Sequence, residues 1–308
     1  MREMLAAVVL VAAVAAARGQ APPQSPEYAP DSRIVLDVTR VDILLTVTDK
    51  RGRFITDLKG EDFEITEDGK PQTIIGFSTR SELPLRLAIL IDSSNSMRER
   101  FRFVQEAAIE FATNVMRPPV DKATVISFDA EIDRTSPMIS DPDELARAIR
   151  SLRPGGGTSL YDAIYLACHD KLASDQSVTE HRRAMVILSD GEDTLSRRTR
   201  DQALEAAQRA GVVIYAISTS TDRLDTYGDK VLKYLTQETG GLAFFPFKLE
   251  DLGKSFDQLA NELRNQYSIY YKPEPPKLDG RFHKIDVRVK NRKNHVIRAR
   301  TGYYAPKQ

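Results

Sequence analysis

Residues 87–97 read LAILIDSSNSM, an apolar run that ends abruptly in a carboxylate and alternating hydroxyls. The aliphatic residues 87–91 predict a strand that is buried on both faces, which is typical of a parallel sheet. The polar residues behind the strand follow the pattern Asp92-x-Ser94-x-Ser96. Open α/β sheets bind their ligands in loops at the carboxyl ends of the strands. A carboxylate beside two neutral hydroxyls suits Mg²⁺, Mn²⁺ or Ca²⁺ better than Zn²⁺ or copper.

This strand belongs to a segment of alternating strands and helices over residues 85–263. Apolar residues between 101 and 115 repeat at helical spacing, and Pro118-Pro119 ends that helix. Asp141 precedes Pro142 as the N-cap of a second helix. The predicted strands are 86–91, 123–128, 184–189, 211–217 and 242–246. The alternation predicts an α/β fold with a Rossmann-like, doubly wound, mostly parallel sheet and helices on both faces.

Two β-rich segments, 34–82 and 265–305, flank the α/β segment. In the first, apolar residues alternate from Val41 to Val47, and Asp68-Gly69 is a favoured hairpin dipeptide between residues 63–65 and 73–75. The second segment contains strand patterns at 267–271, 285–289 and 296–300. Each segment alone is short for a stable core. Our hypothesis is that they pair into one small all-β, sandwich-like domain into which residues 85–263 are inserted.

The residues before 34 predict export. A charged start, an apolar stretch over residues 4–17 and small residues near 15–19 indicate a signal peptide over residues 1–19. An uncleaved N-terminal anchor is the alternative, although the apolar stretch is short for a membrane span. Residues 20–33, rich in Pro, Gln and Ser, predict a disordered leader. We expect a periplasmic or secreted, extracellular protein with no transmembrane segment after cleavage.

Composition narrows the function further. Lys and Arg together number 44, as do Asp and Glu, so the net charge does not indicate a nucleic-acid partner. The basic segment 281–300 could contact anionic glycans, lipid head groups or nucleic acid, but the alternation Arg288-Val289-Lys290 favours the wet face of a strand. The only cysteine, Cys168, excludes an intramolecular disulfide, and we expect it to pack in the core.

Two further stretches supply oxygen ligands that could join those of the polar loop at residues 92–96. Residues 155–159 read GGGTS, which adds the hydroxyl of Thr158, and residues 186–191 read VILSDG, in which Asp190 follows a second apolar strand. Hard cations bind about six oxygens, so two carboxylates and three hydroxyls leave a position for water or an incoming carboxylate. Glu192 and Asp193 could bind a second cation, but a solvated acidic loop is the favoured interpretation.

Asp92-x-Ser94-x-Ser96, Thr158 and Asp190 together resemble the metal-ion-dependent adhesion site of von Willebrand factor type A domains, with all five positions matched in order. The wider chain looks like bacterial secreted proteins related to this family. The resemblance implies that Ser94, Ser96 and Thr158 touch the metal, while Asp92 and Asp190 reach it through water. It also implies, for some relatives, that metal and ligand binding move the last helix, here near residues 249–263.

Enzymatic alternatives find little support. The triple glycine lacks the Gly-Lys-Ser/Thr ending of a phosphate-binding loop. No histidine lies in a recognisable catalytic triad context, and no Gly-x-Ser-x-Gly elbow is present. The expected function is therefore non-catalytic, metal-dependent binding of a protein ligand that presents an Asp or Glu. A scaffolding role in which the metal only stabilises the fold, or a role as accessory subunit of an exported complex, remains the alternative. The sequence leaves the partner and the oligomeric state open.

Overall fold

The computed structural model describes residues 40–79, 83–130, 132, 134–172, 181–220, 225–246, 248 and 251–307. The predicted signal peptide, the predicted leader and the start of the first β segment lie outside these described residues. None of the helices in the described ranges combines the length and the apolar character that a bilayer crossing requires.

The strands and the α-helices of the described residues are each numbered in chain order. The strands are β1 (Val41–Asp49), β2 (Phe63–Glu67), β3 (Lys70–Gln72), β4 (Ile74–Thr79), β5 (Leu85–Asp92), β6 (Lys122–Phe128), β7 (Arg134–Thr135), β8 (Arg182–Ser189), β9 (Val212–Ser218), β10 (Ala243–Phe244), β11 (Tyr267–Tyr271), β12 (Phe282–Val289), β13 (His295–Ala299) and β14 (Gly302–Tyr304). The α-helices are α1 (Phe101–Val115), α2 (Pro142–Ser151), α3 (Leu160–Leu166), α4 (Arg200–Arg209), α5 (Tyr227–Thr239) and α6 (Leu252–Arg264).

The central sheet has the strand order β10-β9-β8-β5-β6-β7. Its first five strands pair in parallel, and the short β7 pairs antiparallel to β6 at the edge. Every residue of β8 and β9 is buried, as expected for central parallel strands that are covered on both faces. The prediction of a doubly wound, mostly parallel sheet is confirmed.

Helices cover both faces of this sheet. Leu87, Ile89 and Ile91 of β5 point to the face on which α1, α2 and α6 pack. The alternate residues Ala88 and Leu90 point to the face on which α3, α4 and α5 pack. This division follows from the period of two in a strand, and it explains why residues 87–91 of β5 are all apolar.

Local sequence signals position the helices. Asp141 accepts a hydrogen bond from the Asp143 amide at 2.9 Å, which confirms it as the N-cap of α2. Gly240 ends α5 in the left-handed conformation at φ 85°, where glycine has no steric penalty. Cys168 lies in a π-helical turn after α3 and is 1% exposed within the core, as predicted.

Two antiparallel sheets lie beside the parallel one, with strand orders β13-β1-β11-β4 and β14-β12-β2-β3. Both sheets mix strands from the two ends of the chain, because β1 pairs with β11 and β13, and β2 pairs with β12. Their buried side chains share one apolar cluster that includes Ile43, Ile65 and Ile269. The predicted domain boundaries themselves stay a prediction.

The chain changes sheet at two places that the sequence did not reveal. Asp68 and Gly69 form the predicted tight turn, with φ values of 49° and 78°. The strand behind this turn is divided at Thr73, however, because β3 pairs with β2 whereas β4 pairs with β11 in the other sheet. The predicted last strand likewise ends at Ala299, and β14 follows in the other sheet.

Candidate functional site

The candidate residues lie at the carboxyl edge of the central sheet. Asp92 is the last residue of β5, and Asp190 directly follows β8. A short 3₁₀ turn, Asn95–Met97, follows Asp92. The loop after α2 reaches the same edge, where the Gly155 amide donates to the Ser93 carbonyl at 2.6 Å. The parallel order of the strands therefore brings distant stretches of sequence together.

Asp92 is fully buried, and both of its oxygens accept hydrogen bonds. Its Oδ1 accepts from the Ser94 amide at 2.9 Å, and its Oδ2 accepts from the Ser189 hydroxyl at 2.7 Å. Burial raises the pKa of Asp92 to about 6; the hydrogen bonds from Ser94 and Ser189 oppose this rise, and the charge of Asp190 adds to it. The carboxylate is thus held rigidly beneath the polar loop.

Ser94, Ser96 and Asp190 meet above Asp92. The hydroxyls of Ser94 and Ser96 lie 2.9 Å apart, and the Ser96 hydroxyl donates to Asp190 Oδ2 at 3.4 Å. The other oxygen of Asp190 accepts from the Glu192 amide at 3.1 Å. Hydrogen bonds therefore join four of the five residues that the sequence singles out.

Thr158 reaches this edge through backbone contacts. Its amide donates to Thr194 Oγ1 at 3.1 Å, and its carbonyl accepts from the Thr194 amide at 2.9 Å. Its loop also touches the polar turn after β5, because the Asn95 amide donates to the Gly156 carbonyl at 3.2 Å. Among the described residues, the Thr158 hydroxyl makes no hydrogen bond to the other four candidates, so hydrogen bonding does not tie it to them.

A close backbone contact holds the loop that carries Asp190. Gly191 has φ 81°, and a Cβ there would lie 2.3 Å from the carbonyl oxygen of Gly228 at the start of α5. A Cβ on Gly228 would in turn lie 2.1 Å from the Asp190 carbonyl oxygen. Both positions require glycine, because any other side chain would force the two backbones apart.

The acidic loop after Asp190 is engaged in local hydrogen bonds. Glu192 accepts from the Gly228 amide at 3.3 Å. Asp193 accepts from the Tyr161 amide at 3.0 Å and from the Ser196 hydroxyl at 2.6 Å, which fixes the start of α3. These contacts favour a role in loop packing for both carboxylates over a second cation site.

Sequence reasoning missed two supporting residues. Ser189 stands directly before Asp190, and its position at the strand end was the available signal for its contact with Asp92. Arg100 donates to the Thr219 carbonyl from the loop after β5, and nothing in the sequence near Arg100 indicates that long-range partner. The Thr219 hydroxyl also lies 3.2 Å from Met97 Sδ, so the end of β9 packs against the polar turn.

The donor set fits a hard divalent cation. It consists of two carboxylates and three neutral hydroxyls, all oxygens. Neighbouring oxygens around an octahedral Mg²⁺ with bonds of about 2.1 Å lie about 3 Å apart. The 2.9 Å spacing of the Ser94 and Ser96 hydroxyls matches that requirement. The buried charge of Asp92 has no cation beside it among the hydrogen bonds and ion pairs of the described residues, and a bound cation would offset that cost.

One region of the chain matches a known protein family. Residues 87–192 match the model of the family described as von Willebrand factor type A domain, and this range contains all five candidate residues. Domains of this family are interaction modules that bind protein partners and generally carry out no catalysis. A search of the curated proteins finds no match.

Several solved structures are similar to this chain. A von Willebrand factor type A protein from Catenulispora acidiphila is 12% identical with a TM-score of 0.51, over 80% of this chain and 73% of that one. Proximal thread matrix protein 1 from the mussel byssus, with a zinc-occupied MIDAS (metal-ion-dependent adhesion site) motif, is 17% identical with a TM-score of 0.50. The match covers 64% of this chain and 50% of that one. The pilus adhesin SpaC from Lactobacillus rhamnosus GG is 11% identical with a TM-score of 0.49, over 84% and 49%. This chain spans about half the length of the last two proteins.

Proposed function

We propose that this protein binds a protein partner through a divalent cation held by Asp92, Ser94, Ser96, Thr158 and Asp190, and that it catalyses no reaction. The observation that supports this most is the hydrogen-bonded group in which Ser94, Ser96 and Asp190 meet above the buried Asp92. Such an arrangement of oxygens at the carboxyl edge of a parallel sheet suits a ligand site.

The five residues would have two different roles at the cation, which depend on whether the side chain is a hydroxyl or a carboxylate. The hydroxyls of Ser94, Ser96 and Thr158 would bind the cation directly, while Asp92 and Asp190 would hold the hydroxyls and waters around it. Mg²⁺ is the expected ion, with Mn²⁺ or Ca²⁺ as alternatives. When bound, the cation supplies an open coordination position. An Asp or Glu of the partner would fill that position, because neutral hydroxyls leave the ion's charge partly uncompensated.

The setting of the site belongs to the same proposal. We infer an exported protein, periplasmic or extracellular, after cleavage of a signal peptide at residues 1–19. In this proposal, residues 85–263 form the type A domain, and residues 34–82 and 265–305 form a β domain that carries it.

Metal titration and partner capture test the proposal together. Calorimetry on the metal-stripped protein should detect binding of Mg²⁺ or Mn²⁺. The affinity for the ion should fall at least tenfold in Ser94→Ala/Ser96→Ala. Asn95→Ala is the matched control, because Asn95 is exposed in the same turn and is not a proposed ligand. Pull-downs from native extract should lose the partner in EDTA and in the double variant. Uptake that is unchanged in the double variant contradicts the assigned ligands.

A scaffolding role is the second candidate, because the hydrogen bonds around Asp92 also hold three loops together. In that case Asp92→Ala would lower the melting temperature and leave partner capture intact. Metal-dependent hydrolysis that is abolished by Asp190→Asn would instead contradict the proposal that the protein catalyses no reaction. The capture and activity assays thus separate the three functions.

A further inference from the structure

A second group of metal-binding side chains lies on the antiparallel sheets. Glu67 ends β2, Asp68 follows in the tight turn, and His283 lies on β12, which pairs with β2. Each residue offers one donor atom, and the three donor atoms lie within 4.8 Å of one another. The strands that carry these residues take no part in the parallel sheet whose edge holds the first site.

Glu67 is a buried carboxylate that faces two tyrosine hydroxyls. It is 2% exposed, and the hydroxyls of Tyr271 and Tyr303 donate to its Oε2 at 2.6 and 3.3 Å. In the described part of the chain, both hydrogen bonds to Glu67 end on Oε2 and no ion pair reaches it. A buried carboxylate normally pairs with a cation or coordinates a metal.

His283 is oriented by a carboxylate on each side of its ring. Its Nδ1 lies 2.8 Å from Asp68 Oδ2, and its Nε2 lies 3.1 Å from Asp279 Oδ1. The ring itself is buried and packs against the ring of Tyr303, with 5.7 Å between the ring centroids. Metal-binding histidines commonly have one ring nitrogen fixed by a carboxylate while the other faces the metal. Asp279 fulfils that positioning role on the Nε2 side.

Asp68 is fixed in place and still open to solvent. Its amide donates to the Lys284 carbonyl at 2.9 Å, and its Oδ1 accepts from the Lys284 amide at 3.0 Å. Its Oδ2 is thereby directed toward His283, while 41% of the side chain remains exposed. An ion could enter from this side without opening the sheet.

We infer that Glu67, Asp68 and His283 form a second metal site, selective for Zn²⁺ or a similar first-row cation. One imidazole nitrogen and two carboxylate oxygens are three of the four ligands of a tetrahedral zinc, and water would supply the fourth. The two carboxylate ligands, Glu67 and Asp68, together carry two negative charges, which would balance the charge of a divalent ion. The nitrogen donor distinguishes this site from the first one, whose donors are all oxygens.

The test uses the full chain in the Ser94→Ala/Ser96→Ala background, in which two proposed ligands of the first site are absent and its metal binding is weakened at least tenfold. After metal removal, calorimetry should detect one equivalent of Zn²⁺, and Co²⁺ should give the intense visible absorption of a tetrahedral centre. Mg²⁺ should produce no binding heat in this background. Failure of the proposed adhesion function would leave this result unchanged, because the two sites share no ligand residue.

Single substitutions test which residues bind the zinc ion. Asp68→Asn should weaken zinc binding at least tenfold, and it should fold, because Asn tolerates a φ of 49° and can accept the Lys284 amide. Asp279→Asn should weaken binding by about 10- to 100-fold through the orientation of the ring. Asp286→Asn, an exposed acid on the same strand, is the control and should change nothing. Absence of zinc uptake in the background protein, or undiminished uptake in both Asp68→Asn and His283→Gln, overturns the inference.

Discussion

Asp92 and Asp121 are both buried acids of the central sheet, and their partners give them opposite properties. Around Asp92 the neighbours are neutral hydroxyls and an amide, so burial dominates and raises its pKa. Around Asp121 the neighbours include the guanidinium of Arg117, which donates to both carboxylate oxygens. The first environment is suited to receiving a cation, and the second already contains one.

Ser189→Ala should destabilise the protein by about 1–3 kcal/mol, because it removes a buried hydroxyl that donates to Asp92 and accepts from the Gly191 amide. Mg²⁺ affinity should fall as well, since Asp92 loses one of its two fixed contacts. Urea unfolding and calorimetry measure the two effects. Ser78→Ala, at an exposed serine of β4, should leave both values unchanged.

Asp121→Asn should reduce stability at neutral pH by about 2 kcal/mol, a value below that of a fully buried ion pair because Arg117 is 48% exposed and screened by solvent. Burial opposes ionisation, but the hydrogen bonds from Arg117 and the Leu85 amide outweigh it and hold the pKa of Asp121 below its usual range. The folded state therefore binds this proton less tightly than the unfolded state.

The contribution of Asp121 to stability depends on pH, because the pKa of Asp121 is lower in the folded state than in the unfolded state. The stability that Asp121 provides is complete above its unfolded pKa of about 3.9, and it is lost as the pH falls through the lower folded value. Urea unfolding midpoints measured across this acid range should fall more steeply for the wild type than for Asp121→Asn. Parallel acid limbs for the two proteins would contradict the assignment.

At the scale of elements, α6 is tied to the antiparallel sheet by a buried ion pair. Glu262 of α6 accepts from Arg298 of β13, and it also accepts from the Thr46 hydroxyl at 3.0 Å. Burial raises the pKa of Glu262, and the charge of Arg298 opposes that rise. The next carbonyl of the helix, that of Leu263, accepts from Arg182 at 2.7 Å. The last helix of the α/β segment is thus in contact with both kinds of sheet.

Glu262→Gln should destabilise the fold by about 3–5 kcal/mol, because it leaves the buried charge of Arg298 without its partner. Arg298→Met alone should also be costly, and the double variant should cost less than the sum of the two. A double-mutant cycle by urea unfolding measures this coupling. Additive effects would show that the pair makes no net contribution.

The elements that sequence reasoning predicted best are those whose signal is local. The period of two in β1, the apolar run of β5 and the Asp141-Pro142 cap each depend on neighbouring residues, and each is confirmed. The changes of sheet at Thr73 and after Ala299 were missed, because a strand pattern states which face is buried and not which strand is the partner.

The candidate site shows the same division. Asp92 and Asp190 could be placed from the ends of apolar strands, and hydrogen bonds connect them through Ser94 and Ser96. The supporting contact of Arg100 with Thr219, and the cluster around His283, depend on long-range approach of loops and strands. No spacing along the chain encodes such contacts, so only the fold reveals them.

At the scale of the whole molecule, the α/β segment leaves and re-enters the antiparallel sheet at adjacent positions. Thr79, the last residue of β4, is paired directly with Tyr267, the first residue of β11. Paired residues on antiparallel strands lie about 5 Å apart. A domain inserted between them would need no rearrangement of the surrounding strands.

Replacing residues 80–266 by a short Gly-Ser linker should therefore leave the remaining β segments able to fold together. The reason is that β1 lies between β11 and β13, so neither segment completes a sheet alone. Cooperative thermal unfolding followed by circular dichroism should be seen for the linked segments and not for residues 34–80 alone. Independent folding of residues 34–80, or no folding of the linked segments, would contradict the shared domain.

Cys168 gives the molecule a built-in chemical reporter. It is the chain's single cysteine, and full burial raises the pKa of its thiol, so alkylating reagents meet neither an accessible sulfur nor a thiolate. Modification must wait until the helix layer that packs around Cys168, which includes α3 and α4, opens. The labelling rate therefore counts the openings of that layer, and it can be followed by mass spectrometry on the unmodified natural chain, with no probe attached.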